Sequence, residues 1–223
     1  MYPRSHLMSP INFSQKTTLL FDFDGTLVDV LPLFVEICNT LAPRYGYRPL
    51  TQAEIPALKH QSAWELVHTR LTIIPWWRLW FFGRDIRRAY ERHIERIGLF
   101  PGITDILTTL RVQNYTIGIV SSNTTPIIET IMRRANITID FIETGSAFGK
   151  SRTINRCLAK YHLNPTDVLY IGDEVRDVLA CQKSGIDMLA VTWGLNSQES
   201  LTKAGAPTVD TPVALLTMFV SHV

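Results

Sequence analysis

Three short apolar runs, each leading into acids or hydroxyls, restrict this chain more than any other feature. Thr17 to Phe23 reads TTLLFDF, Thr116 to Val120 reads TIGIV, and Val168 to Ile171 reads VLYI. Ile137 to Ile142 and Met188 to Val191 are weaker runs of the same kind. Strands that are apolar at consecutive positions are buried on both faces, as in a parallel sheet covered by helices. Helical patterns lie between them. Pro126 to Arg134 places Ile127, Ile128 and Ile131 on one side, with Thr125–Pro126 as its start signal. Ser151 to Tyr161 is similar, and so is Glu174 to Lys183, which ends at Ser184–Gly185. Strand and helix in alternation imply right-handed crossovers, hence an α/β fold with a doubly wound, Rossmann-like parallel sheet.

The alternation stops between Val30 and Ile97. Four helices are expected there: Leu31 to Ala42, Thr51 to Lys59, Ser62 to Leu71, and Trp76 to Ile97. A chain of 223 residues suits one core with a modest insertion. The expected organisation is a core from residues 15–29 and 98–223, and a small α-helical cap over residues 30–97. Hinges are expected at Asp29–Leu31 and Gly98–Gly102. Asp29 reads as the N-cap of the first inserted helix. Pro212 to Val223 reads as a short amphipathic helix docked on the core.

Composition excludes several classes of function. With 22 Lys+Arg against 20 Asp+Glu, the formal charge is +2, too balanced for a nucleic-acid binder. Arg84, Arg87, Arg88 and Arg92 fall at helical spacing among Asp85, Glu91 and Glu95, as on a solvated helix face. Cys38, Cys157 and Cys181 are odd in number and far apart, which argues against disulfides and zinc, and for the cytoplasm. Met1 to Lys16 lacks the apolar segment of a signal peptide and reads as a partly ordered leader. Leu71 to Gly83, LTIIPWWRLWFFG, is shorter than the ~20 residues that span a bilayer. It reads as a buried helix, with a surface-active segment as the alternative. The aromatics Trp76, Trp77, Trp80, Phe81 and Phe82 read likewise as core, with a substrate- or partner-facing patch as the alternative. His60, His68 and His93 have no ligand-like spacing, and nothing singles out Arg70 or Arg78.

In doubly wound sheets, ligands bind beyond the carboxyl ends of the strands. The first strand ends in Asp22-Phe23-Asp24-Gly25-Thr26, the second in Ser121-Ser122-Asn123, and the fourth in Gly172-Asp173-Glu174-Val175-Arg176-Asp177. Lys150 follows Gly149 at a helix start. Asp22 and Asp24 alternate with Phe23, so both carboxylates face one way. Asp177 lies one turn beyond Asp173. Gathered carboxylates repel one another unless a cation intervenes, and their oxygens suit a hard ion such as Mg²⁺. Lys150 offsets the charge of an incoming phosphate, and the Ser121 hydroxyl donates to a phosphate oxygen. Ser122 is its register-slip competitor. Glu174 is expected to point elsewhere, and Lys160 to be solvated.

DFDGT resembles the first motif of the haloacid dehalogenase superfamily. IVSS resembles the second, Lys150 stands in order for the third, and IGDEVRD is similar to the fourth. The resemblance spans Thr17 to Leu195, and the inserted helices match its phosphoglycolate phosphatase-like branch. It implies that Asp22 attacks phosphorus and becomes an aspartyl-phosphate. Asp24 would protonate the leaving oxygen and then deprotonate water. Ser121 and Lys150 would hold the phosphoryl group. Gly25, Thr26, Ser122 and Asn123 are expected on the substrate side. Asp22, the backbone carbonyl of Asp24, and Asp173 would ligate Mg²⁺, with Asp177 as a further ligand or orienter. The expected substrate is a small phosphorylated metabolite, phosphoglycolate-like or a sugar phosphate. Asp24 argues for phosphate chemistry, because dehalogenating members lack the second acid. A phosphomutase of the β-phosphoglucomutase kind shares all four motifs. A non-catalytic binding protein on this fold is disfavoured by the intact set.

Overall fold

The computed structural model describes residues 11–54, 74–146 and 149–220. Among these, six parallel strands form one sheet in the order β3-β2-β1-β4-β5-β6. They are β1 (Thr18–Phe21), β2 (Thr116–Ser121), β3 (Phe141–Thr144), β4 (Val168–Gly172), β5 (Asp187–Val191) and β6 (Thr208–Val209). The central strand β1 pairs with β2 on one side and β4 on the other, with Phe21 level with both Ile119 and Ile171. The three strongest apolar runs are thus the three middle strands. β1, β2 and β4 have almost no exposed position, as consecutive apolar residues require.

Among the described residues eight α-helices accompany the sheet: α1 (Leu31–Tyr45), α2 (Trp76–Arg92), α3 (Ile103–Val112), α4 (Thr125–Arg134), α5 (Lys150–Lys160), α6 (Val175–Ser184), α7 (Gln198–Lys203) and α8 (Pro212–Val220). Successive strand residues serve opposite layers. Leu19, Phe21, Ile117, Ile119, Leu169 and Ile171 pack with α3, α4 and α8. Leu20, Val120, Val168, Tyr170 and Met188 pack with α5, α6 and α7. All three cysteines are buried free thiols. No helix among the described residues is long and apolar enough to cross a membrane.

Three elements arise that the sequence pattern did not suggest: α3, α7 and the two-residue β6. The α3 signal was present, since Ile103, Ile106, Leu107 and Leu110 follow helical spacing and are buried. β3 begins at Phe141, later than the run from Ile137 suggests. The Asp140 carboxylate accepts from the Ile117 N–H at 2.8 Å, which ends the loop and sets the register. Asp29 is not a cap. It is exposed, and α1 starts after Val30 without a side-chain cap, its start favoured by Pro32 instead. The expected Thr51 to Lys59 helix is a short 3₁₀ turn over Gln52–Glu54 before leaving the described residues, and Ser62 to Leu71 lies wholly outside them, with His60, His68 and Arg70.

α1 and α2 are inserted between β1 and β2 and pack on each other. Tyr45 and Phe82 meet edge to face at 5.0 Å, within a small cluster that includes Ala42, Tyr47 and Ile74. The segments leading out of and back into the sheet run side by side. Asp29 N–H donates to Gly98 at 3.1 Å and Phe100 N–H to Leu27 at 2.9 Å, flanking a bridge between Val28 and Leu99.

Candidate active site

The carboxyl ends of β1, β2 and β4 bring the acids, hydroxyls and lysine together. Asp22 follows β1 directly, and its N–H continues the ladder to Ile171 at 2.9 Å. Its Oδ1 accepts from Phe23 N–H at 2.8 Å, and its Oδ2 accepts from Lys150 Nζ at 2.5 Å. Lys150 opens α5 and is buried, as is Asp22. It also pairs with Asp177 Oδ1. Burial alone would lower the lysine's pKa; Asp177 and Asp22 outweigh that and keep the ammonium charged.

Asp173 and Asp177 are completely buried. Glu174 and Asp177 form a reciprocal capping box at the start of α6, which fixes Asp177 in the first helical turn. The Glu174 carboxylate pairs with Arg176. Asp22, Asp173 and Asp177 each offer an oxygen within 4.8 Å of the others. Asp24's carboxylate is not in that group. Four acids (Asp22, Asp173, Glu174 and Asp177) face two cations (Lys150 and Arg176) in one buried cluster. Burial, then the charges of Glu174, Asp22 and Asp177, hold Asp173 well above the usual carboxylate range. That donor set, short of positive charge by two, fits a hard divalent cation.

Asp173 is clasped on two sides. Thr26 Oγ1 donates to its Oδ1 at 2.8 Å, so this buried hydroxyl faces the acid. Leu195 N–H donates to its Oδ2 at 2.7 Å from the loop after β5. The clasp demands glycine. A Cβ on Gly25, whose φ is +84°, would lie 2.2 Å from Asp173 Oδ2, and one on Gly194 would lie 2.3 Å from the same atom. Trp193 Nε1 ties the two loops by donating to the Thr26 carbonyl at 3.1 Å.

Asp24 stands apart, half-buried, under α2. Tyr90 Oη donates to its Oδ1 at 2.7 Å, and Asn123 Nδ2 reaches both oxygens at 3.1 and 3.0 Å. Asn123, expected on the substrate side, thus holds Asp24. Burial pushes the Asp24 carboxyl up to about 6; the Tyr90 bond opposes this, Asp22's charge adds to it, and the Asn123 bond opposes it again. A carboxyl near 6 is suited to give and take a proton around neutrality. Ser121 ends β2 and accepts from Asn123 N–H at 3.0 Å, which leaves its own O–H free to donate. Ser121, Ser122, Lys150 and Arg176 stand around one closed crevice at the end of β2, which holds no water-sized space, and Lys150 links it to Asp22.

A family model described as haloacid dehalogenase-like hydrolase matches residues 19–191. The chain belongs to that family. Among its relatives, a phosphoglycolate phosphatase of Synechococcus elongatus is 36% identical over 189 residues, covering 83% of this chain and 88% of its own. An N-acetylmuramic acid 6-phosphate phosphatase of Pseudomonas putida is 26% identical over 211 residues, covering 88% and 93%. A haloacid dehalogenase-like hydrolase from Streptococcus pneumoniae shares the fold with a TM-score of 0.78 at 25% identity, over 92% of this chain and 99% of its own. This haloacid dehalogenase-like chain is therefore an enzyme of the phosphatase kind, on the expected α/β fold.

Two parts of the site went unread in the sequence. Tyr90 carries no local signal, because only helix packing brings its ring to Asp24. The Trp193-Gly194-Leu195 loop had one: it follows the carboxyl end of β5, where the rule that located the other residues also applies.

Proposed function

We propose that this enzyme hydrolyses a small phosphate monoester with Mg²⁺, through an aspartyl-phosphate on Asp22. The observation that carries the reading is the division of labour between two acids two residues apart. Asp22 is charge-paired with Lys150, while Asp24 is held by Tyr90 and Asn123 with its carboxyl near 6. The first is kept as a nucleophile and the second as an acid–base.

The phosphoryl group comes to the carboxyl ends of β1 and β2, where the Ser121 hydroxyl and Lys150 bind its oxygens. Asp22 attacks phosphorus, and the bond to the leaving oxygen breaks as Asp24 delivers its proton there. Asp24, now ionised, takes a proton from water; the oxygen of that water attacks phosphorus, and Asp22 leaves as carboxylate with inorganic phosphate released. Asp22, Asp173 and the Asp24 carbonyl would hold Mg²⁺, with Asp177 oriented beside them. The ion supplies charge that lets an anionic nucleophile approach an anionic substrate. Thr26 acts on this arrangement by orienting Asp173, and Gly25 by admitting it. The α1–α2 insert serves as a cap over residues 30–97, excluding water and selecting the alcohol portion. The relatives favour a short phosphorylated acid or a sugar phosphate as substrate.

The test is phosphate release from p-nitrophenyl phosphate, 2-phosphoglycolate and a set of sugar phosphates, with Mg²⁺ and with chelator. Turnover that requires metal and disappears in Asp22→Asn is expected. Turnover that survives that substitution would overturn the nucleophile, and phosphate passed to a sugar instead of water would make the enzyme a mutase.

A further inference from the structure

We infer that the outward face of α2 is a docking surface for an anionic lipid bilayer. The first turns of this helix present apolar rings to solvent: Trp77 is 57% exposed, Trp80 68% and Phe81 41%. Of the aromatic run whose side chains are described, only Phe82 enters the packing against α1. The reading of these residues as core is therefore corrected for three of them. Large exposed aromatics grouped on one surface mark an interaction site.

Charge identifies the partner. On a helical wheel, Arg84 falls between Trp77 and Trp80, and Arg87 and Arg88 continue the same face toward the C-terminus. Among the described residues neither Arg87 nor Arg88 has an ion pair, and both are exposed. The acid Asp85 is turned inward to Arg44 and Tyr45 and also takes Arg84 at 3.3 Å, and Glu91 lies exposed further along the same face, so the unpaired positive charge is that of Arg87 and Arg88. Aromatic residues at one end and arginines along the rest, on a helix too short and too polar to cross, are the pattern of a helix lying in the headgroup region. Its rings would enter the acyl boundary while the guanidiniums remain with the phosphates.

The same geometry disfavours other occupants. A second copy meeting this face would set arginines against arginines. Stacked nucleobases need open ring faces, but Arg84 lies over Trp80 and Phe81, 5.5 and 5.1 Å from their centroids, and Arg78 lies 6.0 Å from that of Trp77. The site itself is on the other side: Tyr90, which holds Asp24, projects inward from the same helix, so docking leaves the catalytic residues uncovered.

The experiment is flotation of the full-length enzyme with vesicles of phosphatidylcholine alone, and of phosphatidylcholine mixed equally with phosphatidylglycerol. Binding to the mixed vesicles only, weakened by high salt, is expected. Trp77→Ser with Trp80→Ser should abolish flotation. Arg87→Gln with Arg88→Gln should weaken it about fivefold per arginine removed. Both double variants should turn over p-nitrophenyl phosphate in solution like the parent, which shows that they fold. Failure of the parent to float with anionic vesicles overturns the proposal, as does flotation unchanged in both variants. A concentration-dependent dimer lost with the tryptophans, or tight binding of single-stranded nucleic acid in place of vesicles, assigns the face to that partner and also overturns it.

Discussion

The sheet edge and the α2 helix carry comparable densities of chemically active side chains, yet they are built on opposite principles. At the sheet edge every group is held by another. Asp22 has Lys150, Asp173 has Thr26 and Leu195, and Asp177 has Glu174 and Lys150. Along α2 the inward residues are fixed by packing, Tyr90 among them, while the outward rings, Arg87 and Arg88 are left to solvent. Buried polar groups must be mutually satisfied, so the edge is rigid and self-contained. A helix has two sides, so it serves the site with one and is free to serve another purpose with the other.

The contrast breaks most sharply at Asp22. Asp22→Asn should lower kcat by roughly four orders of magnitude or more, as loss of a covalent nucleophile does, with the thermal midpoint nearly unchanged. Single-turnover phosphate release and calorimetry check this. Next comes the clasp on Asp173. Thr26→Val keeps the shape but removes the 2.8 Å bond, and the Mg²⁺ concentration for half-maximal rate should rise about tenfold. A titration of rate against Mg²⁺ that overlays the parent's would show the clasp to be dispensable. On the helix side, Tyr90→Phe removes the one hydroxyl that α2 lends to Asp24. The loss should be about tenfold in kcat with little change in the Mg²⁺ requirement, which separates an effect on the acid–base from one on the metal acids.

The smallest effect is expected one strand over from the acids, on β3. Glu143 on β3 is buried; burial raises its carboxyl's pKa, but bonds from Lys160, Arg156 and Tyr161 bring it below the usual value. A depressed folded pKa stabilises above the unfolded value near 4.5 and loses that contribution as pH falls through the folded one. With Arg156 and Lys160 largely exposed, Glu143→Gln should cost about 1 kcal/mol at neutral pH, a shift of some 2–4 °C, and leave kcat alone. Denaturation of parent and variant should converge on acidification below pH 4.5; a constant gap would mean packing, not charge, is at stake.

How much was legible follows from the same contrast. β1, β2 and β4 could be read directly, because a strand buried on both faces leaves an apolar run that nothing else explains, and the fold's rule then locates the acids at its end. The aromatic run of α2 could not. Trp76, Trp77, Trp80 and Phe81 share one arc of roughly 140° on the helical wheel, while Phe82, Ile86 and Ala89 share another, so hydrophobic periodicity offers two apolar sides. Contact with α1 at Tyr45 chose the side of Phe82, and Trp77, Trp80 and Phe81 went outward. Tyr90 and the Trp193 loop belong to the same class, since each meets a residue far away in sequence.

From sequence alone came the alternating fold, the first and last of the inserted helices, and the expectation that Asp22, Asp24, Ser121, Lys150, Asp173 and Asp177 stand near one another at the strand ends. These are local matters: a strand's end determines what its next residues face. Only the tertiary structure decided that Asn123 and Tyr90 hold Asp24, that Thr26 serves Asp173, and that α2 turns its rings and arginines to solvent. Each depends on which surface another element covers, and burial is a property of the assembled chain, not of any segment within it.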